Sequence, residues 1–386
     1  MTLYSDTSTW ISEEHKLFSD SVRKFYANEL SPKIEEWNED GIVGRDFWRK
    51  AGSAGVMAGS VPEDFGGAGG DIGFDSIALY EQAKTGDGSW GYGIQSIVIH
   101  YLIAYGNTEQ KLRWLPKLVT GEKVGALAMT EPSAGSDVQS IRTTAKKDGN
   151  QYSINGSKIF ITNGQSADLI ILTCKTDKDA GAKGVSLILI DTEDLAGFER
   201  GKNLKKLGLK GNDTSELFFK DTRVPLTNLL GSEEGQGFYQ LMKQLPWERL
   251  LIGITALGSI DCALEKTIAY VQQRKAFGKR IMDFQNTRFK LAEVKTKAEV
   301  LRAFVNDCIY KLQANRLDAA TASMAKWWGS QIQNEVMDEC LQLHGGYGFM
   351  MEYPIARMYA DARVQSIYGG TNEIMKELIA RAIDKQ

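Results

Sequence analysis

Leu169-Ile170-Ile171-Leu172-Thr173 and, a short turn later, Val185-Ser186-Leu187-Ile188-Leu189-Ile190 are apolar, β-branched runs of strand length. Ile159-Phe160-Ile161 precedes them and Leu217-Phe218-Phe219 follows. Together they mark a strand-rich zone from about 125 to 235. The pairs Asp148-Gly149 and Asn155-Gly156 are turn signals between strands. Strands this short and closely spaced predict an antiparallel β-domain, not a βαβ sheet.

On both sides of that zone the period changes to that of helices. From 1 to about 124, Phe18, Val22, Phe25 and Leu30 recur within His15 to Leu30, and Phe65-Gly66-Gly67-Ala68-Gly69-Gly70 reads as a loop between helices. From about 236 to 386, Leu250, Ile254, Leu257, Ile260, Leu264, Ile268 and Val271 share one face of a long helix. Leu291, Val294, Ala298, Leu301, Val305, Cys308 and Leu312 do the same on the next. Antiparallel bundle packing buries both stripes. The expectation is an α+β, mainly α chain of three domains, 1–124, 125–235 and 236–386.

A length of 386 residues accommodates that many domains. With 46 basic and 49 acidic residues the net charge is -3, which provides no electrostatic footprint for nucleic acid. No run of about 18 apolar residues suggests a membrane span. Met1 to Trp10 lacks the basic start and apolar core of a secretory signal and is not an Arg-rich transit peptide. Four scattered cysteines show no C-x-x-C spacing, and three isolated histidines form no metal set. A reduced, cytoplasmic, metal-free protein is expected. The absence of G-x-G-x-x-G after a strand, of G-x-S-x-G and of a P-loop argues against nicotinamide, hydrolase and kinase readings.

Three segments carry the chemistry. Met129-Thr130-Glu131-Pro132-Ser133-Ala134-Gly135-Ser136-Asp137 is a turn-rich loop in which Gly135 allows close approach of a ligand and Thr130 and Ser136 offer hydroxyls. Arg274-Lys275-Ala276-Phe277-Gly278 places a guanidinium after a helix, where a pyrophosphate could be held. Gln342-Leu343-His344-Gly345-Gly346-Tyr347-Gly348 is the third. In this combination the chain resembles the acyl-CoA dehydrogenases over essentially its whole length, most closely their long-chain branch. The resemblance implies that family's fold: an N-terminal helical domain, a middle β-domain and a C-terminal four-helix bundle.

It also implies FAD. By resemblance Leu127, Met129, Thr130 and Ser136 contact the isoalloxazine side, with Phe160, Ile161 and Thr162 against its other edge. Arg274, Phe277 and Gln285 would reach FAD across a subunit interface, joined by Gln342, Gly345 and Gly346. A cofactor shared in this way implies a homo-oligomer, and the family is typically tetrameric. Thr371 and Glu373 are expected to face the flavin.

Within that family one carboxylate removes the α-proton of an acyl thioester. Many members keep it just after the C-terminal tyrosine, where this chain has Tyr368-Gly369-Gly370-Thr371. The long-chain and isovaleryl branches instead keep it on a helix, in a segment resembling Leu245-Pro246-Trp247-Glu248-Arg249. A glutamate beside an arginine on a helix is ordinarily a solvated residue. Here Leu245, Pro246, Trp247, Leu250 and Leu251 surround Glu248, so an inward carboxylate would be desolvated and its pKa raised towards a base's working range. Glu248 is therefore the expected base and Glu373 the rival. Gly369 retains a backbone N–H for the thioester carbonyl, and Ser136, Arg249 and Tyr368 are expected to line the substrate site. The implied reaction is dehydrogenation of a long-chain acyl-CoA to a trans-2-enoyl-CoA in fatty acid β-oxidation, with electrons passed to an electron-transferring flavoprotein. Branched or carrier-bound acyl substrates, an oxidase and a non-catalytic flavoprotein remain open.

Overall fold

The structure, a computed structural model, describes residues 1–5 and 7–384. Helices α1 (Glu13–Phe25), α2 (Ile34–Asp40), α3 (Arg45–Ser53), α4 (Ile72–Lys84), α5 (Tyr92–Tyr105) and α6 (Thr108–Val119) come first. Strands β1 (Gly125–Ala128), β2 (Thr144–Asp148), β3 (Gln151–Thr162), β4 (Leu169–Lys175), β5 (Val185–Asp191), β6 (Phe198–Asn203) and β7 (Thr214–Pro225) follow. The chain ends with α7 (Gly237–Gln273), the ribbon β8 (Lys275–Ala276) and β9 (Lys279–Arg280), then α8 (Gln285–Gln313), α9 (Ala319–His344), α10 (Pro354–Ala362) and α11 (Asn372–Ile383).

The nearly continuous apolar runs of β4 and β5 have a physical cause: both faces are buried. Leu169, Ile171, Leu187 and Leu189 join the core shared with the helices, whereas Ile170, Leu172, Ile188 and Ile190 fill the core of the β-domain. Strand β4 has antiparallel β5 on one edge. On its other edge β1 runs parallel along Leu169 to Leu172, and Thr144 of β2 meets Lys175. The sheet is thus mixed, not wholly antiparallel. The β2–β3 hairpin lies between β1 and β4 in sequence, so their connection is long enough for a parallel crossover.

Two local expectations also change. Asn155-Gly156 is no hairpin turn but lies inside β3, where the register with β7 shifts between Ile154 and Gly156. A Cβ on Gly156 would fall 2.4 Å from the Thr143 hydroxyl, so the glycine serves close packing there. The helix expected over His15 to Leu30 is α1 plus a π-turn at Tyr26–Leu30, which accounts for the five-residue step from Phe25 to Leu30.

In the C-terminal part α7, α8 and α9 pack side by side and α11 lies along α9. Gly253 of α7 and Gly329 of α9 face each other, and a Cβ on Gly329 would stand 3.2 Å from the Gly253 Cα. That small-residue seam lets α7 and α9 approach closely. Helices α4 and α5 cover α7 from the N-terminal side, and α5 also meets β1. Asn163, just after β3, ties the β-domain to this junction through Gly91 O (3.2 Å) and Gly125 O (3.0 Å).

Candidate active site

Glu248 sits on α7 two residues after an internal proline, Pro246, which leaves the preceding turn one hydrogen bond short. Its side chain faces inward and only 6% of the residue is exposed. The hydroxyl of Tyr101 on α5, itself fully buried, donates to Glu248 Oε1 at 2.7 Å. Burial pushes the carboxyl up to about 7, against the opposing pull of the Tyr101 bond and the Arg249 charge. A carboxylate so poised can accept a proton near neutrality.

Gly369 approaches the same helix face. It and Gly370 adopt positive φ, 62° and 90°, in the turn before α11. A Cβ on Gly369 would lie 2.5 Å from Ile252 Cδ1, and Ile252 is one helical turn beyond Glu248. Left-handed backbone and close approach together require glycine at this position. Tyr368, beside it, is 38% exposed. Arg249 points into the α7–α9 seam, where its guanidinium donates to Ser323 Oγ at 3.1 Å and burial lowers its pKa. Its task in the structure is to join two helices.

Glu373 differs from Glu248 in every respect that matters for proton abstraction. It is exposed in the first turn of α11. Its own backbone N–H and the Thr371 hydroxyl hold its carboxyl below the ordinary range. Thr371 caps α11, its hydroxyl accepting from Ile374 N at 3.4 Å.

The loop after β1 forms a second group. Glu131 and Ala134 exchange backbone hydrogen bonds of 2.9 and 3.1 Å, so the chain doubles back there. Beneath it the fully buried Lys158 ammonium donates to Met129 O at 2.9 Å and to Glu131 Oε1 at 2.8 Å. Arg142 N and Thr143 N also donate to that carboxylate, at 2.6 and 3.0 Å. Burial alone would raise the Glu131 pKa, but these partners hold it below the usual carboxylate range. The loop therefore presents Gly135 and Ser136 to solvent and keeps Thr130 and Met129 half-buried beside β3. Phe160 points outward with φ of 60°, and Thr162 is half-buried. The Ile161 side chain faces the β-domain core and leaves only its backbone for a ligand.

A third group gathers at the far end of α7 and α9. Tyr270, Arg274, Gln342, Gly345, Gly346 and Tyr347 border a cavity of about 640 Å³. Side chains at Gly345 and Gly346 would meet no heavy atom within 4 Å, so both glycines open onto the cavity. Arg274 lies over the Tyr347 ring, its Cζ 5.5 Å from the centroid. Phe277 is 95% exposed at the tip of the β8–β9 ribbon, where its φ of 52° and the 79° of Gly278 form a tight two-residue turn. Gln285 opens α8, exposed beside that ribbon.

Hydroxyls and free backbone around an exposed aromatic edge in the β-domain, with a guanidinium and an open glycine cradle at the bundle, suit the two ends of a flavin dinucleotide. No carboxylate pairs with Arg274 among the described residues, so its charge is available to a pyrophosphate.

The three zones correspond to three known domains. Residues 12–122 match the acyl-CoA dehydrogenase N-terminal domain, 126–222 its middle domain and 235–383 its C-terminal domain. The chain belongs to the acyl-CoA dehydrogenase family. Among similar acyl-CoA dehydrogenases is the mitochondrial long-chain specific enzyme of Rattus norvegicus, 50% identical over 96% of this chain and 87% of the relative. Mitochondrial isovaleryl-CoA dehydrogenase of Pongo abelii is 35% identical, over 98% of this chain and 90% of its own. The crystal structure of acyl-CoA dehydrogenase from Geobacillus kaustophilus superposes with a TM-score of 0.95 at 46% identity, covering 98% of this chain and 100% of that one.

Sequence reasoning missed Tyr101, Lys158 and Lys326 of this acyl-CoA dehydrogenase. Tyr101 lies in an apolar helical run and its partner is 147 residues away. Nothing in its neighbourhood signals the bond. Lys158 and Lys326 look like surface lysines in sequence and are both fully buried.

Proposed function

We propose that this acyl-CoA dehydrogenase uses FAD to convert long-chain acyl-CoA to trans-2-enoyl-CoA in fatty acid β-oxidation, passing the electrons to an electron-transferring flavoprotein. The observation that carries this reading is the pairing of a buried Glu248, its pKa near neutrality, with a glycine at 369. The base then stands on the helix, as the long-chain and isovaleryl branches have it. Glu248 accepts the α-proton of the thioester. The Gly369 N–H donates to its carbonyl, stabilising the enolate charge that develops, a contribution of about 3 kcal/mol for one preorganised donor. Trp247, Leu250 and Tyr101, all buried, keep water from the carboxylate. Bound FAD supplies the hydride acceptor. Thr130, Ser136 and Thr162 would hold its ring end. Arg274, Phe277 and Gln285 of a second copy would reach it across the subunit interface, with Gln342, Gly345 and Gly346 as a second piece of that shared site, giving a homo-oligomer, by resemblance a tetramer.

No helix among the described residues is long and apolar enough to cross a membrane. Anaerobic titration with palmitoyl-CoA tests the assignment. Wild type and Glu373→Gln should bleach the oxidised flavin band, and Glu248→Gln should bind the thioester without bleaching. Bleaching by isovaleryl-CoA alone would move the substrate to branched chains. Reduction of Glu248→Gln at the wild-type rate would remove Glu248 as the base.

A further inference from the structure

Lys326 lies about two turns into α9, fully buried, yet no carboxylate pairs with its ammonium among the described residues. It donates instead to Gly370 O at 2.7 Å and to Asn372 Oδ1 at 3.0 Å. Ser330, one turn further along α9, donates to the same Asn372 oxygen at 3.0 Å. The two anchored residues bracket the start of α11, immediately after the peptide that carries Gly369. A buried ammonium without a counter-ion is unfavourable, and burial lowers its pKa to about 8. Glu373 favours its charge and Arg249 opposes it. A methionine or leucine would fill the space at no such expense.

What the ammonium achieves is directional. Gly369 and Gly370 both have positive φ, and glycine backbone in that region is free to turn. Without an anchor the Gly369–Gly370 peptide planes would sample several orientations. Fixing the Gly370 carbonyl onto a rigid helix fixes the Gly370–Thr371 peptide plane and so restricts the rotations open to the two glycines before it. We propose that Lys326 is a positioning residue of the active site, which clamps the Gly369–Gly370 turn onto α9 so that the Gly369 N–H points at the thioester carbonyl. This rests on the assignment of that N–H as the carbonyl's donor.

Difference infrared spectroscopy of a 13C-labelled acyl thioester bound to the full-length protein tests it. In wild type the carbonyl stretch should move to lower frequency on binding. In Lys326→Met at least half of that shift should be lost, with kcat falling on the order of 10²-fold and KM changing less than threefold. Lys326→Gln keeps a donor at similar reach, should recover part of both effects, and serves if the methionine variant does not fold. A full carbonyl shift and a kcat within twofold of wild type in both variants would overturn the role of Lys326. Absence of the shift in wild type would instead overturn the assignment of the Gly369 N–H, and the proposal with it.

Discussion

The Tyr101 hydroxyl and Glu248 Oε1 lie 2.7 Å apart, joining α5 to α7 inside the core. A hydrogen bond donated to a carboxylate favours its charged form, so this bond opposes the burial that raises the Glu248 pKa. Removing the hydroxyl in Tyr101→Phe should raise that pKa by about one to two units, since a bond to a charged group contributes roughly 1.5–3 kcal/mol. Catalysis needs ionised Glu248. The acid limb of the kcat/KM profile should therefore move to higher pH, with the plateau rate little changed. An unmoved limb would mean that the titrating group is not Glu248.

Beneath the loop from Met129 to Asp137, the Lys158–Glu131 pair is buried on both sides. Lys158→Met leaves the Glu131 carboxylate with its two backbone donors and no cation. Breaking one side of a buried pair should destabilise by about 3–5 kcal/mol. Because the pair supports that loop, purified Lys158→Met should also carry less flavin per chain than wild type, as read from the visible to ultraviolet absorbance ratio. Adding Glu131→Gln should return part of the stability, since no unpaired charge then remains. Equal flavin content in all three proteins would sever the pair from the cofactor.

The exposed Phe277 makes a different prediction. An aromatic side chain at the apex of a ribbon contributes nothing to its own chain's core, and large exposed apolar groups mark contact surfaces. Phe277→Asp should leave secondary structure and monomer stability within about 0.5 kcal/mol of wild type, as exposed substitutions do. It should nonetheless shift sedimentation towards smaller species and weaken flavin retention on dilution. An unchanged oligomer that binds flavin normally would place Phe277 outside any shared site.

Much of this architecture was readable because burial leaves a periodic trace. The runs 169–172 of β4 and 187–190 of β5 are apolar throughout because two cores claim their two faces, and the stripes of α7 and α8 fall at helical spacing because one face of each is buried. Strand direction leaves no such trace, so the parallel pairing of β1 with β4 was not legible. Nor was the bulge at Gly156, where the sequence signal for a turn and for close packing is the same residue. The burial of Glu248 could be inferred from its neighbours. Its partner could not, because nothing about Tyr101 in its own helix distinguishes it from a packed aromatic residue.

Holding a proton acceptor in the core has a consequence for stability with a definite sign. The Glu248 pKa is raised from the ordinary 4.5 of a glutamate to about 7 by burial. Below the lower value both folded and unfolded chains are protonated there, and no penalty arises. Between the two values the unfolded chain releases a proton that the folded chain retains, so stability falls as pH rises. Above the upper value the loss is complete, on the order of 3 kcal/mol. Glu248→Gln keeps the shape and can still accept from Tyr101, but never ionises. Denaturant melts should find the variant more stable than wild type by up to about 3 kcal/mol near pH 8, with the gap closing towards pH 4. The same variant should be inactive, and that combination is what separates a base held ready in the core from a glutamate retained for packing. A Glu248→Gln variant less stable than wild type at pH 8 would show that the buried charge is compensated, and would remove the reason for its raised pKa.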